Sequence, residues 1–232
     1  MRSTLQGNGQ ANHRRYGDTL AFVKKPNDEG ATPAKDEWST RHSVLRSAQR
    51  TAALVNALSA SSALGAEEPA PAANTVISTV EAVLREYGEK DPLDVSAADV
   101  TEMRAVAALL REVFAAADTD AAAARLNRLL ADGCGPVRLT AHGGGTPWHI
   151  HLDGHDDAPW AEWFLASSCM ALAVLVWDRQ RPPGGLCASP SCANVYVTGG
   201  SGTPRRYCSP RCATRERVAG HRRAKERLTE GG

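Results

Sequence analysis

Four of the six cysteines in this 232-residue chain fall between positions 187 and 212. Cys187 and Cys192 make a C-x4-C pair, Cys208 and Cys212 a C-x3-C pair, and fifteen residues separate the two. Each spacing lets two thiolates reach one ion, and four thiolates close a tetrahedral zinc site with no position left for water or substrate. The chemistry on offer is therefore structural. One zinc ion would supply folding free energy to a segment of ~45 residues that is too small to build its own core. Cys134 and Cys169 stand apart and read as buried, unpaired thiols.

The residues around these cysteines predict how they are positioned. "NVYV" and "RRY" are β-compatible runs flanking the glycine-rich "TGGSGTP", the pattern of a hairpin. Ser209 and Pro210 predict a helix start, so Cys212 falls in the first turn of a helix running to about Leu228. Knuckle, hairpin and a helix whose first turn supplies ligands is the order of a treble-clef zinc finger. On that helix Arg211, Arg215, Arg222 and Lys225 share an arc of roughly 80° at 100° per residue. Arg217, Arg223 and Arg227 extend the charge around the rest of the helix, and Arg205 and Arg206 approach from the hairpin. Residues 205–232 hold nine Arg or Lys against three Glu in a chain of net charge +1, so a basic tail follows an acidic body. One or two arginines can offset the zinc–thiolate charge. The surplus fits double-stranded DNA, where cations neutralise phosphates and arginine pairs bidentately with guanine. Gly220 costs the helix about 1 kcal/mol relative to alanine.

A second cluster, "TPWHIHLDGHDD" (Thr146 to Asp157), lies one inserted glycine from the HxHxDH pattern of metallo-β-lactamase-like hydrolases. It makes His149, His151 and His155 candidate ligands of a catalytic metal. Such a site needs further ligands from other loops and an open position for water, and the sequence offers only His142 nearby. Period-two alternation instead places Trp148, Ile150 and Leu152 on the core face of a strand, with His149, His151 and Asp153 on its wet face. On this reading His149 and His151 are structural or line a ligand site, and the chain is not an enzyme. Asp156 and Asp157 then precede a helix start, where negative charge offsets the helix dipole.

The elements that must hold these residues suggest an α+β protein: a mainly helical N-terminal domain with a β-hairpin, followed by the zinc finger. Residues 1–45 are polar and aperiodic and are expected to be poorly ordered. Helical patterns run from Arg41, from Asn74 as cap to near Gly88, and from Ser96, where Asp99 completes a capping box and Val100, Met103, Ala107, Leu110 and Phe114 mark one face. Asp120 is the expected cap of the next helix, which carries Leu126, Leu129 and Leu130. "PVRLTAH" and "WHIHLD" predict the hairpin, and a helix from about Pro159 to Asp178 closes the body at residue 180. "RQRPPGG" reads as the boundary before a finger over 184–230. The N-terminus lacks the apolar run of a secretory signal, and Trp163 to Trp177 falls short of the ~20 residues that span a bilayer. The expectation is a cytoplasmic protein with no membrane association.

"LCASPSCANVYV", "RRYCSPRC" and "HRRAKER" resemble the CGNR zinc-finger family, in which the finger follows an N-terminal ABATE domain described as a stress-induced transcription regulator. The family's Cys-Gly-Asn-Arg motif reads Cys212-Ala213-Thr214-Arg215 here, so the glycine and asparagine are replaced. Over roughly 46–180 the body resembles an ABATE domain through "LVNAL", "EMRAVAALLREVF", "RLNRLLA" and "PWHIHLDG". The resemblance implies a zinc-dependent, DNA-binding transcription regulator whose body receives a small-molecule ligand or forms a homodimer. The alternatives are the hydrolase above and a finger that docks protein or RNA.

Overall fold

The computed structural model describes residues 40–63, 73–144, 146–199 and 205–230. The expectation for residues 1–45 lies outside the described residues up to position 39, and from Thr40 the chain is helical. Five helices build the body: α1 (Thr40–Ala63), α2 (Ala73–Glu86), α3 (Ala97–Phe114), α4 (Thr119–Gly133) and α5 (Trp160–Arg179). Between α4 and α5 lies a hairpin of β1 (Arg138–Thr140) and β2 (His149–His151). After α5 come β3 (Gly184–Leu186), β4 (Val195–Val197) and the long C-terminal α6 (Pro210–Glu230).

The local signals for the helices hold with small shifts. Ser96 and Asp99 form the full reciprocal capping box of α3, and all five residues of its expected apolar face are buried. Helix α4 is capped by Asp118, whose carboxylate accepts from the Ala121 amide at 2.8 Å, rather than by Asp120. Asn74 lies inside α2 rather than capping it. Two aspartates two residues apart offer the same oxygen to the same turn, and the one with extended backbone takes the role. Helix α5 is apolar all round, as a helix enclosed by others must be. Its length and composition would let it cross a membrane, yet half of that window is buried, against α1, α3 and α4. Within it, the hydroxyl of buried Ser168 is 2.9 Å from that of Thr51 on α1.

The β1–β2 hairpin reverses an expectation. Leu139 pairs with Ile150, and Arg138 and Thr140 pair with His151 and His149. Trp148 is 73% exposed, and Leu139 and Ile150 also face solvent, so the apolar residues of the strands point outward; Leu152, just past the end of β2, is buried as expected. The polar set turns towards the helices. Alternation separates two faces without saying which is covered. Asp153 decides it: its carboxylate is 3% exposed and sits 2.6 Å from the Arg138 guanidinium and 2.8 Å from the His151 ring, so burial is offset by charge-assisted bonds.

β4 pairs antiparallel with β3, not with the "RRY" run as expected. The two glycines that suggested a linker are the reason. A Cβ at Gly184 would lie 1.9 Å from the Tyr196 carbonyl oxygen and 2.8 Å from the Phe114 ring, so only glycine lets the strands meet this close to α3. The other edge of β4 is covered by an asparagine of α1. Asn56 donates to the Val195 carbonyl at 3.0 Å and accepts from the Val195 amide at 2.8 Å, as a neighbouring strand would. Arg111 adds a bond to the Ala193 carbonyl at 2.5 Å, and Val195 and Val197 are buried in the same apolar core as the helices. Gly184→Ala should lower stability by about 2 kcal/mol in urea titrations, the cost of overpacking. Gly199→Ala, which meets nothing, should stay within about 0.5 kcal/mol of the parent.

Candidate metal centre and cationic helix

Cys187 follows β3 directly, and its amide donates to the Asn194 carbonyl at 2.8 Å, while the Cys192 amide donates to the Ser189 carbonyl at 2.9 Å. These bonds fold the segment between the first two cysteines into a tight turn. Arg206 carries the second pair to it, its carbonyl accepting from the Ala188 amide at 2.8 Å. Arg205 then shapes the next turn by donating to the Tyr207 carbonyl at 2.7 Å and to that of Cys208. Ser209 caps α6, its hydroxyl accepting from the Cys212 amide at 3.2 Å, so Cys212 stands in the first turn as expected.

The four sulfur atoms all lie within 4.8 Å of one another. Cys192 and Cys208 are 3.6 Å apart, and Cys208 and Cys212 3.7 Å. A tetrahedral Zn–S bond of about 2.3 Å has an S···S edge of about 3.8 Å, so the sulfurs stand where one zinc ion would hold them. The surroundings suit a dianionic centre. The Cys208 amide points at the Cys187 sulfur at 3.4 Å. Arg215 lies 3.4 Å from the Cys212 sulfur and donates to the buried Ser189 hydroxyl at 2.8 Å. The positive end of α6 faces the same sulfurs. Without metal the thiols oppose one another's ionisation. Burial, then the neighbouring thiols, push Cys208 up to about 12, and burial raises Cys192. The Ser209 hydrogen bond holds Cys212 down at about 7, and it is the group that would engage an ion first.

Residues 185–225 match the family model of the CGNR zinc finger. No curated protein matches the chain. With the four-cysteine geometry, this match identifies a zinc-binding module that holds one structural zinc ion. Cys134 and Cys169 take no part: they neighbour each other where α4 meets α5, Cys169 buried and Cys134 partly exposed.

The sequence-predicted cations divide into two groups. Arg205 and Arg215 are engaged within the finger, as the charge of the centre required. Arg211, Arg217, Arg222 and Arg223 are exposed along α6 and form no ion pair among the described residues, and Arg206, Lys225 and Arg227 are exposed with them. Val218 is also exposed, within the Arg211–Lys225 stripe.

Of the histidines, His149 and His151 come together with His142, not with His155. The ring nitrogens of His142, His149 and His151 lie within 4.8 Å of one another, whereas His155 is exposed. Asp156, expected to serve the α5 dipole, instead accepts from Arg138 at 2.6 Å and Thr140 at 2.9 Å. Those bonds hold its carboxyl below the usual range. Burial lowers the His151 imidazole from its ordinary value, against the pull of Asp153. The sequence signal that could have found His142 was its place across the hairpin from His149.

Cys208→Ser should remove the structural zinc and unfold the finger while the body's helices persist, read as a lost metal equivalent with most helical circular dichroism retained. Zinc must displace the thiol protons, so binding should weaken as pH falls below neutrality, by up to about tenfold per pH unit for each proton displaced. Competition with a chromophoric chelator between pH 6 and 8 measures this.

Proposed function

We propose that this protein is a zinc-dependent, DNA-binding transcription regulator of the cytoplasm, and not an enzyme. Its C-terminal treble-clef finger would lay α6 against double-stranded DNA. Its helical body, similar to an ABATE domain, would receive a ligand or bring two copies together. The observation that carries this reading is the set of exposed arginines, without an ion pair among the described residues, on a helix anchored at one end by a metal centre. Anchoring lowers the entropy lost when the cations are ordered on phosphates, which separates this helix from a solvated basic tail. Arg206, Arg211, Arg217, Arg222, Arg223 and Lys225 are the proposed contacts. Val218 is placed to touch a thymine methyl if the stripe enters a major groove. Arg205 and Arg215 serve indirectly, by holding the finger together.

Selection from a random duplex pool with the zinc-loaded chain should enrich a site, and a symmetric site would indicate a dimer. Affinity should fall with a slope of about −4 to −5 in log Kobs against log salt, the value for about five neutralised phosphates. Arg222→Ala should reduce that slope by about 1 and weaken binding to all sequences alike. Salt-independent binding, or no duplex bound at all, would contradict the proposal. Recovery of a protein partner that duplex DNA fails to displace would favour the protein-docking alternative.

A further inference from the structure

We propose that His142, His149 and His151 form a second metal site, which binds a divalent transition-metal ion through their Nε2 atoms and leaves a coordination position open to an exchangeable oxygen ligand. The site is independent of the four-cysteine centre and of the DNA-binding reading.

Proton positions carry the argument. The His149 Nδ1 is 2.8 Å from the Pro147 carbonyl, which can only accept, so this nitrogen holds the proton. The His151 Nδ1 is 2.8 and 2.9 Å from the two oxygens of Asp153, a buried carboxylate paired with Arg138, so it too donates. The His142 Nδ1 faces Asp156 at 3.4 Å. With Nδ1 protonated on the neutral His149 and His151 rings, their two Nε2 atoms present lone pairs, and His142 brings its own Nε2 to the same point. Yet these atoms converge: His142 and His149 at 3.2 Å, His149 and His151 at 2.9 Å. Lone pairs gathered this closely repel unless a cation lies between them. For metal–nitrogen bonds of about 2.0–2.1 Å, neighbouring ligands on one face of an ion are separated by roughly 2.9–3.4 Å, and the observed spacings fall in that range. A ring nitrogen held by a carbonyl or carboxylate is also what orients a metal-binding imidazole and raises its basicity.

The backbone and the cavity point the same way. His142 sits at φ 45°, followed by Gly143 at 67° and Gly144 at 96°. That left-handed turn is unfavourable for a residue with a Cβ, and here it presents the third ring to the other two. The three histidines line a cavity of about 650 Å³ whose far wall comes from α1 and α5, including Arg50, Trp163 and Ser167. Two hydroxyls lining the cavity, Ser167 on this wall and Thr146 on the hairpin loop, are buried and find no partner among the described residues. Buried hydroxyls are seldom left so, and a water or small anion bound to the open position would satisfy them. Three imidazoles suit zinc, cobalt, nickel or copper over magnesium or calcium.

The experiment is metal counting on the full-length chain after dialysis against zinc, paired with cobalt(II) absorption spectra. Two zinc ions per chain are expected. His142→Ala and the double variant His149→Ala with His151→Ala should each fall to one, and His155→Ala should keep two. In the cobalt form, the wild type minus His142→Ala difference spectrum should show visible ligand-field bands without the near-ultraviolet thiolate-to-cobalt band of the cysteine centre. One zinc per wild-type chain, measured without any variant, would overturn the proposal. So would a second equivalent that persists when the histidines are replaced. A wild type with one zinc that still bound duplex DNA would reject this site alone and leave the proposed function standing.

Discussion

Four sulfur atoms are gathered so closely near the carboxyl end of this protein that they cannot all ionise unless a cation joins them. The strain is visible in the thiols, one pushed up to about 12 by burial and its neighbours while another is held near 7 by a hydroxyl. Zinc would convert that repulsion into an attraction that contributes folding free energy. The turns at Cys187 and Cys208 and the start of α6 all depend on it. What the metal organises is a direction: a helix with little apolar surface of its own and a run of exposed arginines leaves the centre at a set angle.

The centre does not stand alone. Asn56 completes the β4 edge, Arg111 reaches the loop before it, and Val195 and Val197 share the core of the five helices. These contacts put the zinc module and the body in one compact unit spanning Lys35–Gly232. A body that senses a ligand would therefore touch the finger through α1 and α3 rather than through a loose tether. The histidine hairpin packs on α5 and faces Ser47 and Arg50 of α1 across the cavity, and α1 also carries Asn56, so one helix borders both sites. If the hairpin takes up an ion as proposed, a shift of α1 is the shortest physical route by which occupancy would be felt at the finger.

How much of this was legible in the sequence depended on whether a feature is local. The cysteine spacing named its four ligands, and Ser96 with Asp99, or Ser209 with Pro210, marked helix starts, because those signals act within one turn of chain. The apolar face of α3 was equally readable, since a 3.6-residue period points to a single stripe. What failed required knowing a neighbour far along the chain. Alternation in "WHIHLD" separated two faces, but only the burial of Asp153 with Arg138 shows that the histidine face is the inner one. "PPGG" looked like a linker because glycine and proline break regular structure, yet Gly184 is a strand residue chosen for closeness to Phe114 and Tyr196. His142 was noticed only as a lone neighbour. Its role emerged when the turn at Gly143 and Gly144 brought its ring within 3.2 Å of His149.

Zinc organises the C-terminal module, and hydrogen exchange followed by mass spectrometry, on zinc-loaded and chelator-stripped full-length protein, tests this most directly. Stripping should abolish amide protection around Cys187, Cys192 and Cys208 and through the first turns of α6, while α3 and α5 stay protected. Equal protection of the C-terminal module with and without metal would contradict it.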